Sequence, residues 1–183
     1  MIQFPKPYAD AVARLRVPSG FLIVLVFAWL SRPSPVSIVW GVPVSLLGLA
    51  LRGWAAGCLD KNRQLSTGGP YAHTRNPLYL GTLAAAAGLA IAARSPWLAL
   101  LFACVFLFVY LPVIQLEEQH LRHLFPEYES YADRVRPLWP RLTPDPASTP
   151  AAFRFRLYIQ NQEYQADAGF AIGLLYLIWR LPR

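Results

Sequence analysis

Residues 68–81, GGPYAHTRNPLYLG, bring together residue types that hold small polar ligands. Asn76 followed by Pro77 reads as a helix start, with Asn76 as the N-cap and Pro77 at the first helical position. A helix beginning there presents free backbone N–H groups and the positive end of its dipole, which favour an anion such as a carboxylate. Gly68 and Gly69 permit close backbone approach to a ligand. Tyr71 and Tyr79 offer aromatic faces to an adenine ring or a sulfonium cation. The same residues also fit a plain capped helix start with two interfacial tyrosines, and their physics alone leaves both readings open.

Glu117 and Glu118 form the second candidate, because they follow directly on a long apolar block. Carboxylates at the membrane end of a helix are costly and suggest a function. They could hold ribose hydroxyls or an ammonium group, or balance a cationic cofactor. They could equally reach water at the interface, paired with Arg75 or Arg122. His120 and His123 stand three apart, and no further ligand cluster lies near them, so no metal site is expected. There is no Gly-x-Ser-x-Gly, P-loop or Gly-x-Gly-x-x-Gly motif.

These residues must be positioned by apolar elements. The hydrophobic fraction of the 183 residues is 55% and the charged fraction 15%, against about 25% charged in soluble domains. The apolar residues come in blocks, with charges between them, and helices apolar all round could not be buried in so small a soluble protein. The net charge of +7 is carried largely by arginines flanking those blocks. That placement fits lipid headgroups and membrane topology, and no nucleic-acid partner is expected. Cys58 and Cys104 lie near or within apolar blocks and suggest small buried side chains with no disulfide framework. The N-terminus lacks the small-residue cleavage site of a signal peptide.

The expected fold is an all-α integral membrane protein with four transmembrane helices, a short C-terminal apolar helix and a cytoplasmic pocket. Residues 1–16 read as an interfacial segment in which Arg14 and Arg16 snorkel. Residues 17–142 form the transmembrane core, and 143–183 a C-terminal extension. The spans centre on residues 17–30, 36–59, 77–93 and 97–116, with tight turns at Arg32-Pro33 and Arg94-Ser95-Pro96. Pro112 should kink or loosen the fourth. The proline-rich residues 126–150 read as extended surface loop. Residues 168–179 are apolar but too short to span alone, and could be a half-buried helix, a re-entrant piece or the end of a longer helix starting near Asn161. Basic residues alternate between many and few along successive loops, which places the N-terminus, residues 60–76 and residues 117–157 in the cytoplasm.

Taken in order, Leu65-x-Thr67-x-Gly69-Pro70-Tyr71-x-x-x-Arg75-Asn76-Pro77-x-Tyr79, a hairpin of two apolar blocks, and Glu117-Glu118 resemble a family of integral membrane methyltransferases. That family includes isoprenylcysteine carboxyl methyltransferases and phospholipid methyltransferases. Phe125-Pro126-Glu127-Tyr128, Tyr131, Val135 and Pro140 are similar to its closing segment, and the likeness covers roughly residues 45–142. The resemblance implies S-adenosylmethionine as cofactor and a lipophilic acceptor or membrane lipid as partner. Carried over by position, the cofactor contacts are Arg63, Gln64, Leu65, Ser66, Tyr71, Asn76, Pro77, Leu78, Tyr79 and Glu117. Glu118 is the candidate for orienting or deprotonating the acceptor. Val113 stands where the carboxyl methyltransferases have an arginine tied to the substrate carboxylate, which argues against a prenylcysteine acceptor. The competing expectations are a membrane reductase of the sterol-reductase type using NADPH, and a non-catalytic scaffold. A transporter is disfavoured because no inverted repeat is visible.

Overall fold

The structure, a computed structural model, describes residues 4–182, and no strand occurs among them. Met1 to Gln3 of the interfacial segment, and the Arg16 side chain expected to snorkel, lie outside the described residues. The helices are α1 (Lys6–Leu30), α2 (Pro35–Gly57), α3 (Pro77–Ala92), α4 (Pro96–Val105), α5 (Leu111–Leu124), α6 (Tyr128–Arg134), α7 (Phe155–Gln160) and α8 (Tyr164–Trp179). A 3-10 turn, Gly69–Ala72, lies between α2 and α3.

The turns are fixed by local chemistry. The Ser34 hydroxyl accepts from Ser37 N–H, while Ser37 Oγ accepts from Ser34 N–H, so the two serines form a capping box at the start of α2. The Ser95 side chain caps α4 by a single bond, accepting from Leu98 N–H. Pro35, Pro77 and Pro96 each occupy the first helical position, where no N–H is needed.

α2 and α3 pack along a seam of small residues. Gly41, Ser45 and Gly48 of α2 face Gly81, Ala85, Gly88 and Ala92 of α3. A Cβ at Gly48 would lie 2.5 Å from Ala85 N and 2.6 Å from Gly81 O, so the two backbones are nearly in contact. Ser45 Oγ donates to Ala85 O across the seam at 2.9 Å. Close backbone approach of this kind drives association where lipid gives no hydrophobic contrast.

α4, a π turn at Phe106–Tyr110 and α5 run on as one 29-residue rod, Pro96–Leu124. Pro112 cannot donate to Phe108 O four residues back. The hydroxyl of Tyr8 in α1 donates to that carbonyl instead, at 2.7 Å. The expected loosening at Pro112 is thus a π turn followed by regular helix. The rod also continues past the apolar block, so Glu117 and Glu118 sit inside α5. The rod and α2 are long and apolar enough to cross a membrane; Gly20–Leu30 and α3 are shorter apolar helices. Phe21, Leu25 and Trp29 of α1, Val39, Trp40 and Leu47 of α2, and Ile172, Leu175 and Trp179 of α8 are exposed, the inverse of a soluble surface.

The region expected as extended surface loop contains α6, whose Tyr128 and Tyr131 join Val135 in a buried cluster. Its aromatic residues outweigh its prolines, because burying two rings removes far more apolar surface than a loop could. The final apolar segment is α8, which begins at Tyr164 and continues from the short α7.

Candidate functional site

A cavity of about 640 Å³ opens where the α2–α3 loop, the first turns of α3, the α5 segment around Glu117 and the α7–α8 junction meet. Gln64, Leu65, Ser66, Tyr71, Leu78, Tyr79 and Glu117 line it. Of the remaining candidates, Arg63 is exposed beside it, and Asn76, Pro77 and Glu118 are buried behind its wall. Val113, Leu116, Leu121 and Phe125 give the cavity an apolar side.

The two adjacent carboxylates have separate partners. Glu117 lines the cavity, and the Tyr79 hydroxyl donates to its Oε1 at 2.7 Å. Glu118 is buried against the Arg75 guanidinium, with Nη2 to Oε1 at 3.1 Å. Asn76 Nδ2 donates to the same oxygen at 3.3 Å and to Pro137 O at 3.1 Å. The Asn76 side chain therefore makes no N-cap hydrogen bond to α3. Sequence reasoning expected that cap. The competing acceptors Glu118 and Pro137 O draw the amide away, which leaves backbone donors of the first turn for another partner.

Arg75 Nη1 also donates to Ala132 O at 3.0 Å, and Arg75 N–H to Arg136 O at 3.0 Å, which ties the loop before α3 to the α6 region. The Tyr131 hydroxyl donates to Tyr71 O at 2.7 Å. The Tyr71 ring is 6% exposed and lines the cavity, and its own hydroxyl has no hydrogen-bond partner among the described residues. Burial pushes the Tyr71 phenol above its ordinary pKa, so it is a neutral donor.

The two glycines serve the chain itself. Gly69 has φ +59°, and a Cβ there would lie 3.1 Å from Cys58 Sγ; the space beside Gly68 is filled by Thr149 O and Ala151. Both positions require glycine, but the neighbour is protein, where a ligand was expected. Burial raises the Cys58 thiol pKa, an effect partly offset by Arg154.

Arg52, Thr82, Asn161 and Glu163 were not candidates by sequence, yet all four line the cavity. Arg52 Nε and Nη2 donate to the two oxygens of Glu163 at 2.5 and 3.0 Å, and Nη1 reaches the Thr82 hydroxyl and Leu78 O. Asn161 Nδ2 donates to Ala56 O and Leu59 O, both at 2.9 Å, and so holds carbonyls at the end of α2. A lone arginine within an apolar run was a readable signal for Arg52. Nothing local marked Glu163. His73 Nδ1 pairs with Arg141 O at 2.8 Å. No group of three or more His, Cys, Asp or Glu able to hold a metal ion occurs among the described residues.

Comparison with known proteins bears on this arrangement. The nickel-cobalt-cadmium resistance protein NccN of Alcaligenes xylosoxydans xylosoxydans is 33% identical over 117 residues, 63% of this chain and 54% of its own. The cobalt-zinc-cadmium resistance protein CzcN of Cupriavidus metallidurans is 34% identical over 112 residues, 60% of this chain and 52% of its own. The chain spans about half the length of these relatives. No solved structure matches it. A phospholipid methyltransferase family model matches residues 36–128, which run from α2 through α3 and the rod to the start of α6 and so include both carboxylates and the whole loop before α3. With half the chain matched, and the matched half supplying most of the cavity wall, the chain belongs to the phospholipid methyltransferase family.

Proposed function

We propose that this chain is a membrane methyltransferase that uses S-adenosylmethionine and acts on a lipophilic acceptor, with the cavity as its reaction chamber. The carrying observation is convergence. Residues 64–66, Tyr71, the first turn of α3 and Glu117 meet in one cavity, with the Tyr71 hydroxyl buried at its wall without a partner among the described residues.

The residues present fit the cofactor. The uncapped first turn of α3 suits a carboxylate. Glu117, oriented by Tyr79, suits ribose hydroxyls or an ammonium group. The unpartnered Tyr71 hydroxyl is a ready donor, and Leu65 and Leu78 offer apolar contact. When bound, the cofactor supplies an electrophilic methyl group on a sulfonium. The chain contributes positioning and the exclusion of water by Val113, Leu116 and Phe125. A neutral amine or a thiolate acceptor needs no strong base. We therefore read Glu118 as a positioning residue that acts through Arg75 and Asn76.

We further place four spans in the membrane: α1, α2, α3 and the Pro96–Leu124 rod. The short turns carry only Arg32 and Arg94, while the cavity end is richer in basic residues, so the N-terminus and the cavity lie on the cytoplasmic side.

Calorimetry on the purified protein in detergent is the direct test. S-adenosylmethionine or S-adenosylhomocysteine should bind, NADPH should not, and Glu117→Arg should abolish binding while leaving the protein folded. Heat from NADPH alone would favour a reductase, and unchanged affinity in Glu117→Arg would reject the placement of the site.

A further inference from the structure

A second cavity, of about 550 Å³, opens between α3 and α4 at the end of the bundle opposite the first. Leu83, Ala87 and Ile91 of α3 and Ala99, Phe102 and Ala103 of α4 give it apolar walls, and Arg94 stands at its polar end. From Leu83 to Arg94 the groove runs roughly 16 Å along α3, close to the half-thickness of a hydrocarbon core of about 30 Å. Arg94 closes α3 in an arrangement usual for glycine. Its N–H donates to Ile91 O at 2.9 Å and Ser95 N–H to Ala90 O at 3.3 Å, a Schellman motif whose C′ residue is left-handed. Arg94 takes that conformation, with φ +51°, although its side chain makes it costlier than in glycine. A costly backbone beneath a charged side chain points to a use for the charge.

The surroundings set the sign of the partner. Arg32 N–H donates to Ala93 O at 2.9 Å, so the α1–α2 turn lies beside Arg94. Leu177 of α8 is buried with Ala90, Ala92, Ala93 and Leu98, and the Tyr176 hydroxyl donates to Ala28 O, so α8 ends at the same face with Arg180. Arg32, Arg94 and Arg180 are exposed, and none makes an ion pair or a side-chain hydrogen bond among the described residues. No Asp or Glu occurs between Asp10 and Asp60, between Asp60 and Glu117, or after Asp167, so this face has no acidic side chain to answer them.

We propose that this face binds an anionic phospholipid, with one acyl chain in the α3–α4 groove and the phosphate at Arg94. A lipid supplies in one molecule what the site presents: an anion at the surface and, directly beneath it, an apolar chain one leaflet long. A second copy of this chain, inserted the same way, would bring its own arginines to that level and so like charge to Arg94. The groove lies at the far end of α3 from Glu117. The bound lipid is therefore a fixed neighbour of the bundle and not a substrate.

The test is native mass spectrometry of the full-length protein, released from detergent containing equal amounts of phosphatidylglycerol and phosphatidylcholine with identical chains. The wild type should retain phosphatidylglycerol in preference. Arg94→Gln and Arg94→Gly should each lower the ratio of retained phosphatidylglycerol to phosphatidylcholine about fivefold, the worth of one basic residue at an anionic lipid surface. Arg94→Gly also relieves the backbone. Its thermal midpoint in phosphatidylcholine should equal or exceed that of the wild type, which separates lost lipid from lost fold. Ala99 is exposed, so Ala99→Phe fills the groove without disturbing the core and should lower retention of phosphatidylglycerol. Arg136→Gln, at the cavity end, should leave the ratio unchanged. An equal fall in Arg136→Gln would assign the preference to net charge alone and overturn the site. A ratio unchanged in both Arg94 variants, undiminished retention in Ala99→Phe, or a lipid-free dimer as the main wild-type species would overturn it as well.

Discussion

The Arg75 guanidinium and the Glu118 carboxylate meet at 3.1 Å with both side chains nine-tenths buried, and so tie the loop before α3 to α5. Removing one partner leaves the other charged and buried, at a cost of about 3–5 kcal/mol. Glu118→Ala should therefore lower the thermal midpoint sharply. Arg75→Met/Glu118→Leu, which removes both charges, should recover much of that loss. A scanning unfolding experiment in detergent reads both, and a Glu118→Ala protein as stable as the wild type would contradict the arrangement.

Tyr71→Phe should separate stability from binding. The hydroxyl it removes is buried and has no partner among the described residues, a state that itself costs about 1–3 kcal/mol. The variant should melt at or above the wild-type temperature. Its affinity for S-adenosylmethionine should fall about three- to tenfold, the worth of one hydrogen bond. A calorimetric titration beside a melting curve gives both numbers.

The small-residue seam makes a contrast among glycines. Gly48→Ala drives a Cβ to 2.5 Å from the Ala85 backbone, and overpacking of this kind costs about 1–3 kcal/mol. At Gly169 in α8 a Cβ meets nothing within 4 Å. Gly169→Ala should thus be neutral or stabilising by up to about 1 kcal/mol through helix propensity. Melting curves should show a lower midpoint for Gly48→Ala and an unchanged or higher one for Gly169→Ala.

Tyr158 reports on the C-terminal helices. Its hydroxyl donates to Asp167 Oδ2, and that bond, with a smaller contribution from burial, pushes its phenol up to about 12. The folded pKa lies above the unfolded value of 10.0, so the stabilisation is complete below pH 10 and is lost as pH rises from 10 toward 12. Ultraviolet titration of the wild type against Tyr158→Phe should show one phenol ionising late, and Asp167→Asn should return it to an ordinary value.

Much of this protein was legible in sequence because its determinants are local. Ser34-Pro35, Asn76-Pro77 and Ser95-Pro96 fix where α2, α3 and α4 begin, since a missing N–H and a preset φ act within one residue. The apolar blocks announced the helices, and the ordered motif announced the family. The tyrosines of α6 were hidden among prolines, because what orders them is a buried cluster that includes Leu65, distant in the chain.

Which groups face the cavity was decided by tertiary structure. Glu117 and Glu118 are neighbours in sequence, but successive helical residues point about 100° apart. Only the partners reveal which is which: Tyr79 holds Glu117 at the cavity, and Arg75 and Asn76 hold Glu118 behind it. Gly68 and Gly69 read as ligand approaches, yet the fold fills their space with Thr149, Ala151 and Cys58. Arg52 and Glu163 are 111 residues apart. No local pattern can encode such a pair, because it exists only once α7 and α8 have folded back onto α2.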